Sequence, residues 1–116
     1  MSTTLSGGLH GLDYSDDYQL TRNAGSYSYE LTPSGGGRVG FKVESFQPHY
    51  PGIASKWTTI ADKSKVVSGA KLSDTFTVPV TQISDKDSTN STLIRVTFSR
   101  EFASDGVDYK LYFSPA

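Results

Sequence analysis

Apolar residues recur at every second position in this chain, in five separate stretches. In residues 27–31, Tyr27, Tyr29 and Leu31 alternate with Ser28 and Glu30. In residues 39–43, Val39, Phe41 and Val43 alternate with Gly40 and Lys42. Phe76, Val78 and Val80 oppose Thr77 and Pro79. Ile94, Val96 and Phe98 oppose Leu93, Arg95 and Thr97. Val107, Tyr109, Leu111 and Phe113 oppose Asp108, Lys110 and Tyr112. A period of two is the signature of a half-buried strand, because successive side chains leave a pleated backbone on opposite faces. Weaker strands are expected at residues 17–22, 56–61 and 65–68. Over residues 53–61, Ile53, Trp57 and Ile60 also sit at helical spacing, but Thr58-Thr59 and the short length favour a strand.

Turn chemistry separates these runs at Asn23-Ala24-Gly25, Pro48 to Gly52, Ser68-Gly69, residues 84–90 and Ser104-Asp105-Gly106. Pro79 cannot donate to a sheet ladder, so its strand is expected at an edge or a bulge. Phe46 falls one residue out of phase with Val43, which predicts a bulge near Glu44–Ser45. The expected fold is all-β, a small antiparallel β-sandwich or jelly roll of 7–8 strands. Its core would draw on Tyr29, Leu31, Val39, Phe41, Val43, Phe76, Val78, Val80, Ile94, Val96, Phe98, Val107, Tyr109, Leu111 and Phe113. Residues 17–116 form this one domain, and the Gly/Ser/Thr-rich residues 1–16 read as a flexible arm.

Residues 35–40 spell Gly-Gly-Gly-Arg-Val-Gly and match G-x-G-x-x-G by letter. A dinucleotide site needs that run between a strand and a helix, so that the helix N-terminus faces the pyrophosphate. Here it leads into alternation of period two. The run is therefore read as a hairpin loop, and no cofactor is expected.

The chain has 116 residues, no cysteine, and 11 basic against 12 acidic side chains. It thus lacks disulfides, thiolate metal sites and a cysteine nucleophile. Near-neutral charge gives no general attraction to nucleic acid or to an anionic membrane. The first residues show no basic segment followed by an apolar run, so no secretory leader is read there. Residues 1–37 hold Asp13, Asp16, Asp17 and Glu30 against Arg22, while residues 38–72 hold six bases against Glu44 and Asp62.

Asp13, Asp16 and Asp17, and separately Asp85, Asp87 and Asn90, offer clustered oxygens of the kind calcium takes. Neither group matches an EF-hand loop, and Asp and Asn are equally common turn formers. No metal site is assigned, and no catalytic motif such as a Gly-x-Ser-x-Gly elbow is present. Tyrosine is abundant, with 7 in the chain. It suits surfaces where one end of the side chain is buried and the other wet. The expected function is accordingly a non-enzymatic structural or assembly protein: a virus or phage particle component, such as a capsid decoration or head- or tail-associated subunit, made in the host cytoplasm. Its partners would be copies of itself or a capsid or tail protein, with no nucleic acid, membrane or small-molecule substrate. The contact residues would be Leu5, Leu9 and Leu12 of the arm, Gly36 and Arg38 of the glycine segment, and Lys110 and Tyr112.

The segments DDYQLTRNAGSYSYEL (16–31) and VDYKLYF (107–113) resemble jelly-roll modules appended to secreted bacterial peptidases. That resemblance implies the alternative, a secreted accessory module binding carbohydrate or calcium. Such modules carry a central acidic calcium cluster, whereas the middle of this chain is basic. Tyr50 and Trp57 are the candidates for stacking on a sugar.

Overall fold

A computed structural model describes residues 2–10, 15–49, 51–52, 54–67, 71–79 and 91–115. The strands are β1 (Thr3–Leu9), β2 (Ser15–Asn23), β3 (Gly25–Leu31), β4 (Ser34–Gln47), β5 (Lys56–Val67), β6 (Leu72–Val78) and β7 (Ser91–Pro115). Every pairing is antiparallel. β7 is 25 residues long and organises the rest. Its first arm pairs with β2 on one side and β4 on the other; its second arm pairs with β1 and β3. β5 extends the first layer beyond β4, and β6 extends the second beyond β3. Counting the two arms of β7 separately, eight strands form two antiparallel sheets, β5-β4-β7-β2 and β1-β7-β3-β6. These are called sheet I and sheet II below.

β7 folds back on itself, so Phe98 of the first arm stacks on Tyr109 of the second with ring centroids 3.9 Å apart. Gly106 marks the reversal with φ of +93°, a backbone state that side chains with a Cβ rarely adopt. Between the sheets lies one core, to which β1 adds Leu9, β3 Tyr27, Tyr29 and Leu31, and β4 Val39, Phe41 and Val43. β6 supplies Phe76 and Val78, and β7 supplies Ile94, Val96, Phe98, Val107, Tyr109, Leu111 and Phe113. Tyr29 meets Phe41 across the layers with centroids 4.9 Å apart. The alternation thus assigns the core face correctly on five strands. Val80 lies outside the described residues.

Several expectations change. The glycine run is not a hairpin loop: it lies inside β4, where that strand passes from sheet II to sheet I along β7. Gly35 pairs with Val107, Gly37 with Ala103 and Val39 with Arg100, so β7 carries extra residues at this corner. Register shifts of this kind are where glycine is common within a strand. The run continues along β4 rather than into a helix.

The expected arm contributes a strand: residues 3–9 are β1, held along residues 107–113 of β7, and Leu9 is fully buried. The ladder between β4 and β5 does shift register at Val43/Glu44, but Ile60 of β5 is the unpaired residue. Ser45 keeps the core phase and is buried, while Phe46 faces outward against Trp57. The strands expected at 56–61 and 65–68 merge into β5, and those at 93–98 and 107–113 merge into β7. β6 is an edge strand ending at Val78, just before Pro79.

Candidate functional site

Three groups of polar and aromatic side chains stand out: one on the outer face of each sheet and one between the sheets.

On sheet II, Val107, Tyr109, Leu111 and Phe113 point inward, so Asp108, Lys110 and Tyr112 point outward and are exposed. Tyr112 is 42% exposed and is the large hydrophobic residue that stands out on the described surface. Register then sets its neighbours. Thr4 of β1 lies opposite it on one side and Glu30 of β3 on the other. Ser73 of β6 lies opposite Glu30, completing a row across four strands. Ser6 lies opposite Lys110, and the Lys110 carbonyl accepts the Thr32 N–H at 2.9 Å. Thr4, Glu30, Thr32, Lys110 and Tyr112 line a shallow groove of about 280 Å³. Lys71 Nζ sits 3.0 Å from Glu30 Oε1, and at the far end His10 Nε2 lies 2.8 Å from Asp108 Oδ1. The next row carries Thr75, Ser28 and Ser114. The face is flat and rich in hydroxyls, with one aromatic ring near its middle.

On sheet I, Trp57 of β5 and Phe46 of β4 have centroids 4.9 Å apart. The Arg95 guanidinium carbon lies 4.2 Å from the Trp57 centroid. Arg95 donates from both Nε and Nη2 to Glu44 Oε1, each at 2.9 Å. Trp57 therefore lies outside the core, with a cation over its ring.

Between the sheets, Tyr109 donates its hydroxyl proton to Asp16 Oδ2 at 2.6 Å, and Tyr18 donates to the Tyr109 oxygen at 2.7 Å. Burial above all, then the bonds to Asp16 and Tyr18, push the Tyr109 phenol far above its ordinary value. Tyr29 is pushed up to about 12, by burial and then by the negative charge of Asp74. At neutral pH both stay protonated, Tyr109 as a donor to Asp16 and Tyr29 as a packing surface against Phe41 and Phe76.

The residues singled out from the sequence fall into separate places. Lys110 and Tyr112 come together, with Thr4 of β1 beside them. Leu5 is partly buried against the core, and Leu9 lies inside it. Gly36 and Arg38 belong to β4, with Arg38 opposite Val67 in sheet I. Asp16 turns inward to Tyr109, whereas Asp17, next along the strand, is exposed on the other face. Among the described residues, no group of three or more His, Asp or Glu is placed to hold a metal ion. Leu12, Asp13, Tyr50, Asp85, Asp87 and Asn90 lie outside the described residues. Sequence reasoning missed Thr4, Glu30 and Thr32 as neighbours of Tyr112, and missed the Glu44–Arg95 pair. Alternation shows which face a side chain takes, but not which strands lie side by side.

No protein-family model and no curated protein sequence matches this chain. Solved structures resemble it in fold at low identity. TmCBM61 in complex with β-1,4-galactotriose aligns over 97% of this chain and 70% of its own, at 13% identity and a TM-score of 0.43. A structure from work on carbohydrate-binding modules of the β-sandwich superfamily aligns over 97% of this chain and 51% of its own, at 14% identity and a TM-score of 0.44. A chain of infectious bursal disease virus, Gx strain, aligns over 97% of this chain and 32% of its own, at 14% identity and a TM-score of 0.42. This chain thus spans about half the length of the second and a third of the third.

Proposed function

We propose that this chain is a structural subunit of a larger protein assembly, and that it docks through the outer face of sheet II. The assembly we name is a virus or phage particle, with this chain as a decoration or a head- or tail-associated subunit. The observation that carries the reading is Tyr112, standing exposed in a flat hydroxyl-rich face between Thr4 and Glu30, with Lys110 one row away. An aromatic ring with a polar tip is the commonest kind of interface anchor, and surrounding small polar groups allow close approach. The groove beside it is shallow, which suits a protein surface better than an enclosed substrate. The test is co-sedimentation of the purified chain with purified particles. Wild type pellets with them, and Tyr112→Ser reduces the bound fraction at least about tenfold, as loss of a central anchor would.

A second reading rests on the outward Phe46–Trp57 pair of sheet I, which offers aromatic surface to a sugar. On that reading the chain is a secreted accessory module. A glycan-array signal lost on Trp57→Ala but kept on Tyr112→Ser supports it against the first.

A further inference from the structure

Among the described residues the two sheets have four edge strands, and three are defended against pairing with a further strand. β5 bears Lys56, Asp62 and Lys63, and its ladder with β4 shifts register twice. β2 bears Asp16, Asp17 and Arg22. β6 carries Asp74 opposite the inward-facing Tyr29, tied to Lys63 of β5 at 3.5 Å, and is followed by Pro79. Charges, inward-pointing acids, bulges and proline are the usual means of blocking an exposed ladder. β1 has none of them. Thr3–Leu9 reads TTLSGGL, pairs with β7 in unbroken register, and has no strand on its other side among the described residues. Its outer backbone edge is a row of alternate donors and acceptors that only an extended strand can match.

We infer that β1 pairs edge to edge with β1 of a second copy of this chain, joining two sheets II into one continuous sheet across a two-fold axis. The occupant is a second copy because β1 is compatible in charge with itself. With no charge anywhere in β1, antiparallel self-pairing opposes no like charges in any register. A two-fold axis is also the commonest symmetry of protein pairs. This contact deepens the assembly reading and rests on it, but it uses the edge rather than the face bearing Tyr112. A seven-residue ladder buries less than a standard interface, so the pair is weak in dilute solution and forms at high local concentration.

The test is sedimentation equilibrium of the full chain up to millimolar concentration, with Ser6→Glu and Thr77→Glu. Ser6 is exposed opposite Lys110, so the new carboxylate is accommodated within one copy but meets its own charge across the axis. Thr77 is exposed on β6, at the opposite edge of sheet II. Ser6→Asp is a second edge variant, and circular dichroism and melting confirm that each folds. The expected result is a wild-type dimer, weakened about tenfold or more by either β1 variant and unchanged by Thr77→Glu. Because the chain has no cysteine, Ser6→Cys carries a single nitroxide label, and the pair of labels is close in the dimer. A wild-type monomer at all concentrations overturns the inference, as does a dimer whose close approach is at Thr77. A dimer that joins no particle leaves this inference standing and defeats the assembly reading. Particle binding lost on Tyr112→Ser, by a chain that never dimerises, does the reverse.

Discussion

Gly7 and Tyr109 lie opposite one another in the ladder between β1 and β7, and their contact shows how one side chain constrains the next. A Cβ at Gly7 would lie 2.7 Å from the Tyr109 hydroxyl and 3.0 Å from that of Tyr18, so β1 can seal this side of the core only with glycine there. Gly7→Ala is expected to cost about 1–3 kcal/mol, the range for overpacking a filled site. Tyr109→Phe removes the donor to Asp16 and the acceptor for Tyr18, and is expected to cost about 1–3 kcal/mol. The two changes are not additive: with the Tyr109 hydroxyl gone, the alanine methyl gains room, so Gly7→Ala costs less in the Tyr109→Phe background. Urea denaturation of the four proteins of the cycle reads this coupling directly. None of this was visible in the sequence, where Gly7 looked like part of a loose arm and Asp16 like part of an acidic cluster. The partners are 93 residues apart, and only the fold of β7 brings them together.

At the scale of elements, β7 decides the architecture, and its reversal depends on Gly106. Gly106→Ala is expected to destabilise by more than about 1 kcal/mol, because alanine resists a φ of +93°. Thermal melts measure it, with Gly52→Ala as a control at a second positive-φ glycine in an exposed turn. Much of the strand content was legible in advance because each strand has one wet and one dry face. Phe76, Phe98 and Leu111 were assignable from their neighbours alone. What could not be read was continuity. Ser104-Asp105-Gly106 looks like a turn between two strands, yet it lies within β7, and pairing with β4 resumes on either side of it at Ala103 and Val107. Gly35–Gly37 looks like a loop, yet it is the corner of β4. In both places glycine relieves a sharp bend within a strand, and by letter alone that is indistinguishable from a glycine ending one. The face of sheet II was half legible: Lys110 and Tyr112 follow from alternation, but Thr4 and Glu30 join them only through register.

For the molecule as a whole, the buried phenols set how stability responds to alkali. Unfolded, Tyr29 loses its proton near the ordinary value of 10.0; folded, it holds the proton until about 12, and Tyr109 is raised in the same direction. Below pH 10 both states are protonated and stability is unaffected. Above it the unfolded chain binds fewer protons than the folded one, so stability falls by about 1.4 kcal/mol per pH unit for each such tyrosine. Urea midpoints are expected to hold steady from neutral pH to about 10 and then decline, with a shallower decline in Tyr109→Phe. Among the described residues, the same layers present the outer face of sheet II on which the proposed docking rests. The most direct measurement is co-sedimentation of the purified chain with purified virus or phage particles, comparing wild type with Tyr112→Ser. The account predicts that wild type pellets with particles and that the variant, equally folded, remains in the supernatant. If both pellet equally, or neither does, the proposed role of the sheet II face is contradicted.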